Sequence, residues 1–188
     1  MMRKLKQDNL LVTDHLQATF SKGFSLIELM VVIGIIGVIL LMLIPNFARM
    51  QSQARIRAGA QEVAQDIRQI RERALSTGAA FLITRFDARN YQVQDPNMNI
   101  TNYRLGQTTG GNLQFGTSGG IITVPPEANQ GTPAANGFDF VGNILTLEAR
   151  GSATKGVIYI HDNKENYAIG INSIGKVKVY IYENGTWH

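Results

Sequence analysis

The sequence predicts an α+β fold in which a long N-terminal α-helix packs on an antiparallel β-sheet head. Three patterns support this prediction. Residues 24–44 are almost entirely apolar, and residues 56–74 place apolar side chains at helical spacing. From residue 79 onward, short segments of alternating polarity are separated by turns that contain Gly and Asn, which is typical of strands.

Composition limits the classes of function. A chain of 188 residues with 44% hydrophobic and 17% charged residues suits one folded domain plus an anchor. The absence of cysteine excludes disulfides, thiolate metal sites and a cysteine nucleophile. The formal net charge of +4 is too small to indicate nucleic-acid binding by itself.

The apolar segment is long enough to cross a membrane. Residues 24–44 number 21, and only Ser25 and Glu28 among them are polar. As a helix they would span roughly 31 Å, which matches the roughly 30 Å hydrocarbon core of a bilayer. Because the flank of residues 1–23 is basic, the positive-inside rule places that end in the cytoplasm.

Two ordinary explanations, a secretory signal and a plain membrane anchor, do not account for every feature of this segment. A secretory signal has an apolar core of about 7 to 15 residues followed closely by a small-residue cleavage site, and this core is longer. A plain anchor explains the length but neither Glu28 nor the Lys22-Gly23 pair. An isolated charge inside a bilayer is costly, so Glu28 is expected to have a partner.

The stretch KGFSLIELMVVIGIIGVI, residues 22–39, resembles the type III signal of type IV pilins and type II secretion pseudopilins. The resemblance implies that residues 1–23 are a prepilin leader, which a prepilin peptidase removes after Gly23, and that the new N-terminus, Phe24, is N-methylated. It also implies that Glu28, the fifth mature residue, directs assembly by meeting the N-terminal amine of a neighbouring subunit. Pro45 lies where pilin helices commonly have a proline.

A second, amphipathic helix pattern follows, over residues 45–77. Its apolar face consists of Ile56, Ala60, Val63, Ile67, Ile70 and Ala74. Its polar face consists of Arg55, Arg57, Glu62, Arg68, Arg71, Glu72 and Arg73, which we interpret as a solvated face or a subunit interface. Arg68 and Glu72 stand one turn apart and are expected to pair. Pro45 predicts a kink, and Gly78 predicts the end of the helix.

The remaining residues, 78–188, are predicted to form a β-rich head. Residues 80–86 and 91–94 indicate a hairpin, and residues 95–137 indicate a long loop with short strands at 113–115 and 121–124. Five further strands are expected at residues 138–142, 143–149, 156–161, 166–172 and 176–182.

The order of elements and two local motifs resemble the H-type minor pseudopilin family (GspH/FimT). The matching positions are residues 140–142, Phe-Val-Gly, and residues 173–177, Ser-Ile-Gly-Lys-Val. This resemblance implies a pilin-like fold and a structural role as a minor pilin or pseudopilin near the tip of a filament or in priming its assembly.

The sequence contains no complete motif of an enzyme or of a cofactor site. Residues 170–177 approach the phosphate-loop pattern, but Val177 replaces the required Ser or Thr and a strand pattern follows instead of a helix. His15, His161 and His188 lack metal-ligand spacing, and His161-Asp162 is interpreted as part of a turn. We expect no catalytic residue, no metal and no cofactor.

The resemblances together imply a protein of the bacterial inner membrane, single-pass, with a cytoplasmic N-terminus and a head that is periplasmic, or extracellular after assembly. The implied partners are other pilin or pseudopilin subunits, the prepilin peptidase, the inner-membrane assembly platform and the lipid bilayer. The alternative is a DNA-binding minor pilin acting in natural transformation, with phosphate contacts from Arg150, Lys155, Lys176 and Lys178.

Overall fold

The computed structural model describes residues 23–188, and for residues 42–49 it describes the backbone alone. Residues 1–22, which include most of the expected leader and His15, lie outside the described residues. The chain divides between Leu43 and Ile44 into two compact units. Over residues 23–188 the secondary structure consists of one α-helix, one short 3-10 turn and ten β-strands.

The expected helix is present as α1, Leu26–Thr77. The predicted stop is confirmed, because Gly78 takes a φ of +64°, a left-handed conformation that glycine adopts at little cost. The N–H of Ala79 then donates to the carbonyl of Ala74 at 3.3 Å. Residue 45 lies within α1, and the expected kink at Pro45 stays a prediction.

In the second unit the predicted apolar face of the helix is buried. Each of its six residues is at most 2% exposed, and they pack against the inner faces of the strands. Gly59 lies on this face as well, where Leu113 packs so closely that a Cβ on residue 59 would collide with it. The helical spacing of the sequence therefore identified the core face correctly.

The arginines of the polar face have a structural role. Arg68 donates to the carbonyl of Val177 at 3.2 Å, and Arg71 donates to the carbonyls of Gly151 at 2.7 Å and Ile174 at 3.3 Å. The expected pairing of Arg68 with Glu72 is wrong, because the ion pair found among the described residues joins Arg71 to Glu72. Arg68 points across to the sheet instead, where a buried carbonyl needs a donor.

The head consists of strands that all pair in antiparallel fashion. They are β1 Phe81–Arg85, β2 Asn90–Gln94, β3 Ile100–Arg104, β4 Gln114–Phe115, β5 Phe138–Asp139, β6 Ile144–Leu147, β7 Gly156–His161, β8 Asn166–Ile171, β9 Val177–Glu183 and β10 Thr186–Trp187. The 3-10 turn, Val141–Asn143, lies between β5 and β6. The predicted α+β class, a helix packed on antiparallel sheet, is confirmed.

The strands form two sheets. The first has the order β3-β2-β1-β6, and the second has the order β10-β9-β8-β7-β4, with β5 also paired to β7. The inner faces of both sheets share one core with α1. The outer face of the second sheet carries a smaller buried cluster of Val157, Tyr159, Ala168 and Tyr180, covered in part by Ala128 and Trp187.

Two features of residues 95–137 differ from the prediction. Residues 121–124 are not a strand: their backbone pairs with no strand of the described chain, and Pro125 and Pro126 follow directly, which disfavours a ladder. Residues 100–104, predicted as loop, form β3 and pair with all five residues of β2. The predicted hairpin of β1 and β2 is confirmed, with Ile83 opposite Val93.

Candidate processing and assembly segment

The expected cleavage site lies just before the first turn of α1. Gly23, Phe24 and Ser25 have no regular secondary structure, and all three are exposed. The Oγ of Ser25 accepts a hydrogen bond from the N–H of Ile27 at 3.3 Å, and its carbonyl accepts one from Leu29 at 3.1 Å. Ser25 is therefore the N-cap, and the Gly23–Phe24 peptide bond stands outside the helix.

Glu28 lies in the first helical turn, in the third position after the cap. The spacing Ser-x-x-Glu is that of a capping box, a signal in the sequence that our prediction did not use. The box itself does not form, because Ser25 accepts from the N–H of Ile27 and not of Glu28, and the Glu28 carboxylate makes no hydrogen bond to a described residue. The negative charge is still favourable there, because it faces the positive end of the helix dipole.

The helix beyond Glu28 carries an unusual surface. All the side chains described between residues 26 and 41 are exposed, including Leu26 at 77% and Leu41 at 72%. A contiguous apolar surface of this kind is typical of a segment that contacts lipid or other protein chains. Within residues 23–41 and 50–188, whose side chains are described, no helix is both long enough and apolar enough to cross a membrane.

The four basic residues proposed for DNA do not form an isolated positive patch. Lys155 and Lys176 are exposed at the same end of the second sheet, beside the end of β8, and the turn that carries Arg150 packs against the turn before β9. The Nζ of Lys178 sits 4.4 Å above the ring of Tyr180. The hydroxyl of Tyr180 donates to the carboxylate of Glu127, which places a negative group on the same face.

A polar cluster between α1 and the first sheet was missed. The hydroxyl of Tyr91 donates to the carboxylate of Asp66, and its ring stacks on Tyr103 with centroids 5.2 Å apart. One turn earlier, Glu62 accepts from the N–H and the hydroxyl of Thr108 at 3.2 and 2.9 Å. The sequence marked Glu62 only as part of a polar face, because the partners come from strands and loops far along the chain.

The remaining sequence motifs have structural explanations. β8 ends at Ile171 and β9 begins at Val177, so residues 172–176 are a turn between strands and not a phosphate loop. The turn expected after His161 is confirmed, since the carboxylate of Asp162 accepts from the N–H groups of Lys164 and Glu165. Burial lowers the pKa of His161. The described residues contain no cluster of His, Cys, Asp or Glu suited to a metal ion.

Comparison with protein families identifies the segment. Residues 20–44 match the prokaryotic N-terminal methylation motif. The resemblance to the pilin and pseudopilin signal is therefore confirmed over this part of the chain. The methylation motif contains Gly23, Phe24 and Glu28, and it ends one residue before Pro45.

Comparison with solved structures gives distant likenesses. A minor pseudopilin, EpsH, from the type 2 secretion system of Vibrio cholerae is 14% identical and has a TM-score of 0.43, with 70% of this chain and 99% of that chain covered. A second structure of EpsH is 16% identical and has a TM-score of 0.40, with 69% of this chain and 94% of that chain covered. The type IV minor pilin FimU of Pseudomonas aeruginosa is 12% identical with a TM-score of 0.48, covering 74% and 96%. A comparison with curated proteins found no match.

Proposed function

We propose that this protein is a structural subunit, a minor pilin or pseudopilin, which is made as a prepilin and assembled into a type IV pilus or a type II secretion pseudopilus. The observation that carries the proposal is the methylation motif over residues 20–44, which includes an exposed apolar helical surface at residues 26–41. A prepilin needs a cleavable bond next to a helix that can pack in a filament, and the Gly23–Phe24 bond fits because it lies outside α1.

The proposed life cycle begins in the bacterial inner membrane. The 21-residue apolar run holds the prepilin there with its N-terminus in the cytoplasm and its head outside. The prepilin peptidase cleaves after Gly23 and Phe24 is N-methylated. The assembly platform then moves the subunit from lipid into the filament, near the tip or during priming, where other subunits cover the apolar helix.

Glu28 has a specific part in this proposal. Its exposed carboxylate has no hydrogen-bond partner among the described residues and lies in the first turn, close to Phe24 along the chain. In an assembled filament it would meet the positive N-terminal amine of a neighbouring subunit. Pairing two opposite charges offsets the cost of holding either one in an apolar bundle.

Processing has a direct test by mass spectrometry of the protein purified from its native membrane. We expect a mature N-terminus at N-methylated Phe24, and accumulation of the uncleaved chain for a Gly23→Leu variant, in which the residue before the bond becomes bulky. Ser21→Leu, two residues before Gly23, is the matched control and should be processed normally. An intact leader on functional protein would contradict the proposal.

Assembly has its own test at Glu28. A Glu28→Ala variant should be cleaved normally yet enter filaments much less efficiently than wild type, because the amine of its neighbour loses its partner. The measurement is the fraction of the protein in sheared filaments against the fraction in membranes. Glu148→Ala, at an exposed position of the head, is the control. Equal incorporation of Glu28→Ala and wild type would show that the carboxylate does not direct assembly.

The DNA-binding alternative is disfavoured by the carboxylate of Glu127, which lies on the same face of the sheet as Lys178. It has a simple test, because phosphate contacts produce a steep salt dependence. A gel shift of the full chain in detergent should show no DNA complex at low salt. Deleting the gene and scoring secretion, surface pili and natural transformation in parallel identifies the system that the subunit serves.

A further inference from the structure

The two edges of the first sheet are protected differently. At the β6 edge, Leu147 forms an antiparallel bridge with Ala153, and the N–H of Thr154 donates to the carbonyl of Thr146 at 3.0 Å. At the other edge, β3 has no strand paired to its outer side within residues 23–188, and the N–H of Gln107 in the following turn donates to the carbonyl of Arg104 at 3.3 Å. Its residues are exposed except Tyr103, which is partly buried.

The hydrogen-bond register shows which groups of β3 are open. Asn99 and Leu105 both bond to the β2 side, through the pairs Asp95 N–H to Asn99 carbonyl at 3.0 Å and Leu105 N–H to Arg89 carbonyl at 2.8 Å. In an antiparallel ladder such residues alternate with outward-facing ones. The N–H and carbonyl groups of Ile100, Asn102 and Arg104 therefore point away from β2.

Natural edge strands are usually blocked by proline, by bulges or by an inward-pointing charge. β3 has none of these, since its sequence is Ile-Thr-Asn-Tyr-Arg and it pairs with β2 without a break over all five residues. Ile100 is 57% exposed and Met98, in the preceding turn, is 79% exposed. Such an edge is suited to the addition of another extended strand.

A cavity opens beside this edge, within the second unit. Its volume is about 540 Å³, and it lies between the last turns of α1 and the inner face of the sheet. The β3 side chains that line it are Thr101 and Tyr103, and the apolar side chains of Phe81 and Val93 lie deeper in the sheet. Because side chains of an added strand alternate between the two faces, every second one would point towards this cavity.

The charges around the edge favour an acidic occupant. The carboxylate of Asp95 is engaged by the N–H groups of Asn97 and Asn99 at 2.9 and 2.8 Å, and that of Asp66 by Tyr91. Arg73, which lines the cavity, is near Asp66 but within 4 Å makes no ion pair with any described carboxylate. The guanidinium of Arg104 likewise makes no hydrogen bond or ion pair to a described residue.

We propose that β3 is a docking edge for an extended, acidic segment of a partner protein, which adds to the first sheet as a fifth strand. The outward N–H and carbonyl groups of Ile100 and Asn102 and the outward N–H of Arg104 pair with its backbone. Its apolar side chains enter the cavity, and its carboxylates, which lie on the opposite face of the sheet, meet Arg104. The interaction goes beyond the proposed filament role, because packing through α1 does not use β3.

The test uses the full chain in detergent micelles and a fluorescently labelled, end-capped peptide that alternates valine with glutamate and threonine. Two control peptides replace glutamate by lysine or place a proline at the centre. We expect the acidic peptide to bind at least about tenfold more tightly than the lysine peptide, as one charge-assisted hydrogen bond predicts. It should also slow amide hydrogen exchange at Ile100, Asn102 and Arg104.

Two variants of Asn102 distinguish the contribution of its backbone N–H from that of its side chain. Asn102→Pro removes an outward N–H that the sheet does not use, so we expect the head to stay folded while peptide binding is lost. Asn102→Ala keeps the N–H and should bind like wild type. Should Asn102→Pro unfold the head, Arg104→Gln takes its place and should weaken binding of the acidic peptide alone.

Several outcomes would overturn the proposal. One is that the acidic peptide fails to bind, or that it binds no more tightly than the lysine peptide. Slower amide hydrogen exchange at β6 in place of β3, or full binding by a folded Asn102→Pro variant, would also contradict it. Concentration-dependent pairing of the chain with itself that Asn102→Pro abolishes would make a second copy the occupant of the edge, which also contradicts an acidic partner segment.

Discussion

At the scale of single residues, the carboxylate of Asp66 connects the helix to the first sheet. Burial raises its pKa above the usual 3.8, and the nearby Glu62 adds to this, while the hydrogen bond from Tyr91 and the charge of Arg73 oppose it without cancelling it. Burial, followed by that same hydrogen bond, raises the pKa of Tyr91 far above its usual range, so the phenol remains the donor. Ionisation of Asp66 in this pair is therefore less favourable than in water, because the carboxylate is partly buried.

This raised pKa predicts a pH dependence with a definite sign. The folded protein binds a proton at Asp66 more tightly than the unfolded chain does, so this group's contribution to stability falls as the pH rises from 3.8 through the raised pKa. An Asp66→Asn variant lacks that contribution. Relative to it, wild type should lose stability in denaturant unfolding as the pH rises above 3.8.

The control for this measurement is Glu148→Gln, because Glu148 is exposed and its side chain accepts no hydrogen bond from a described residue. Its stability curve should run parallel to that of wild type across the same pH range. A parallel curve for Asp66→Asn as well would show that burial does not raise the pKa of Asp66 in the folded head.

At the scale of elements, α1 holds the second sheet through a side chain of its polar face. The guanidinium of Arg71 donates to two carbonyls in different turns, those of Gly151 and Ile174. The turns that it joins lie before β7 and between β8 and β9. Because the planar guanidinium presents several donors at fixed angles, one side chain can hold both turns against the helix.

We therefore predict that Arg71→Lys destabilises the head although it preserves the charge. A lysine ammonium cannot reach both carbonyls in the same geometry, and the loss of one or two charged hydrogen bonds should lower the free energy of unfolding by about 1 to 3 kcal/mol. Arg55→Lys is the matched control, because Arg55 is exposed on the same helix and donates to no described acceptor. Equal thermal stability of the two variants would show that the hydrogen bonds of Arg71 to Gly151 and Ile174 do not stabilise the head.

The elements also show what the sequence can and cannot predict. Ile56 to Ala74 were assigned correctly, because one face of a helix is a local pattern that burial in a single core reinforces. β3 was missed because it is an edge strand with a strand on one side only. Thr101 and Asn102 can therefore be polar and exposed, and the sequence shows no alternation of polar and apolar residues there. The Arg71 contacts were missed because their acceptors are backbone atoms about 80 to 100 residues away along the chain.

At the scale of the whole molecule, the division between Leu43 and Ile44 separates two kinds of surface. The apolar side chains described in the first unit, at residues 24–41, are exposed, whereas the second unit contains a core shared by α1 and both sheets. The methylation motif could be predicted because it is a contiguous stretch of sequence. The polar contacts of the head could not, since they join residues that only the fold brings together.

This division predicts that residues 44–188 fold without the first unit. Their core residues come from within that range, so the fragment should keep the near-ultraviolet circular dichroism of the full chain and unfold with the same free energy within about 0.5 kcal/mol. The measurement is denaturant unfolding of both chains in the same detergent. A fragment with secondary structure but no near-ultraviolet signal would show that the head needs the apolar helix to pack.

The outer cluster of the second sheet has a spectroscopic consequence. Trp187 is the one tryptophan of the chain, its ring lies 5.8 Å from that of Tyr159, and its Nε1 donates to the carbonyl of Thr123 at 2.8 Å. Its indole emission therefore depends on whether the segment around Thr123 lies against the sheet. A red shift of that emission would report, without any label, the moment when this segment separates from the head.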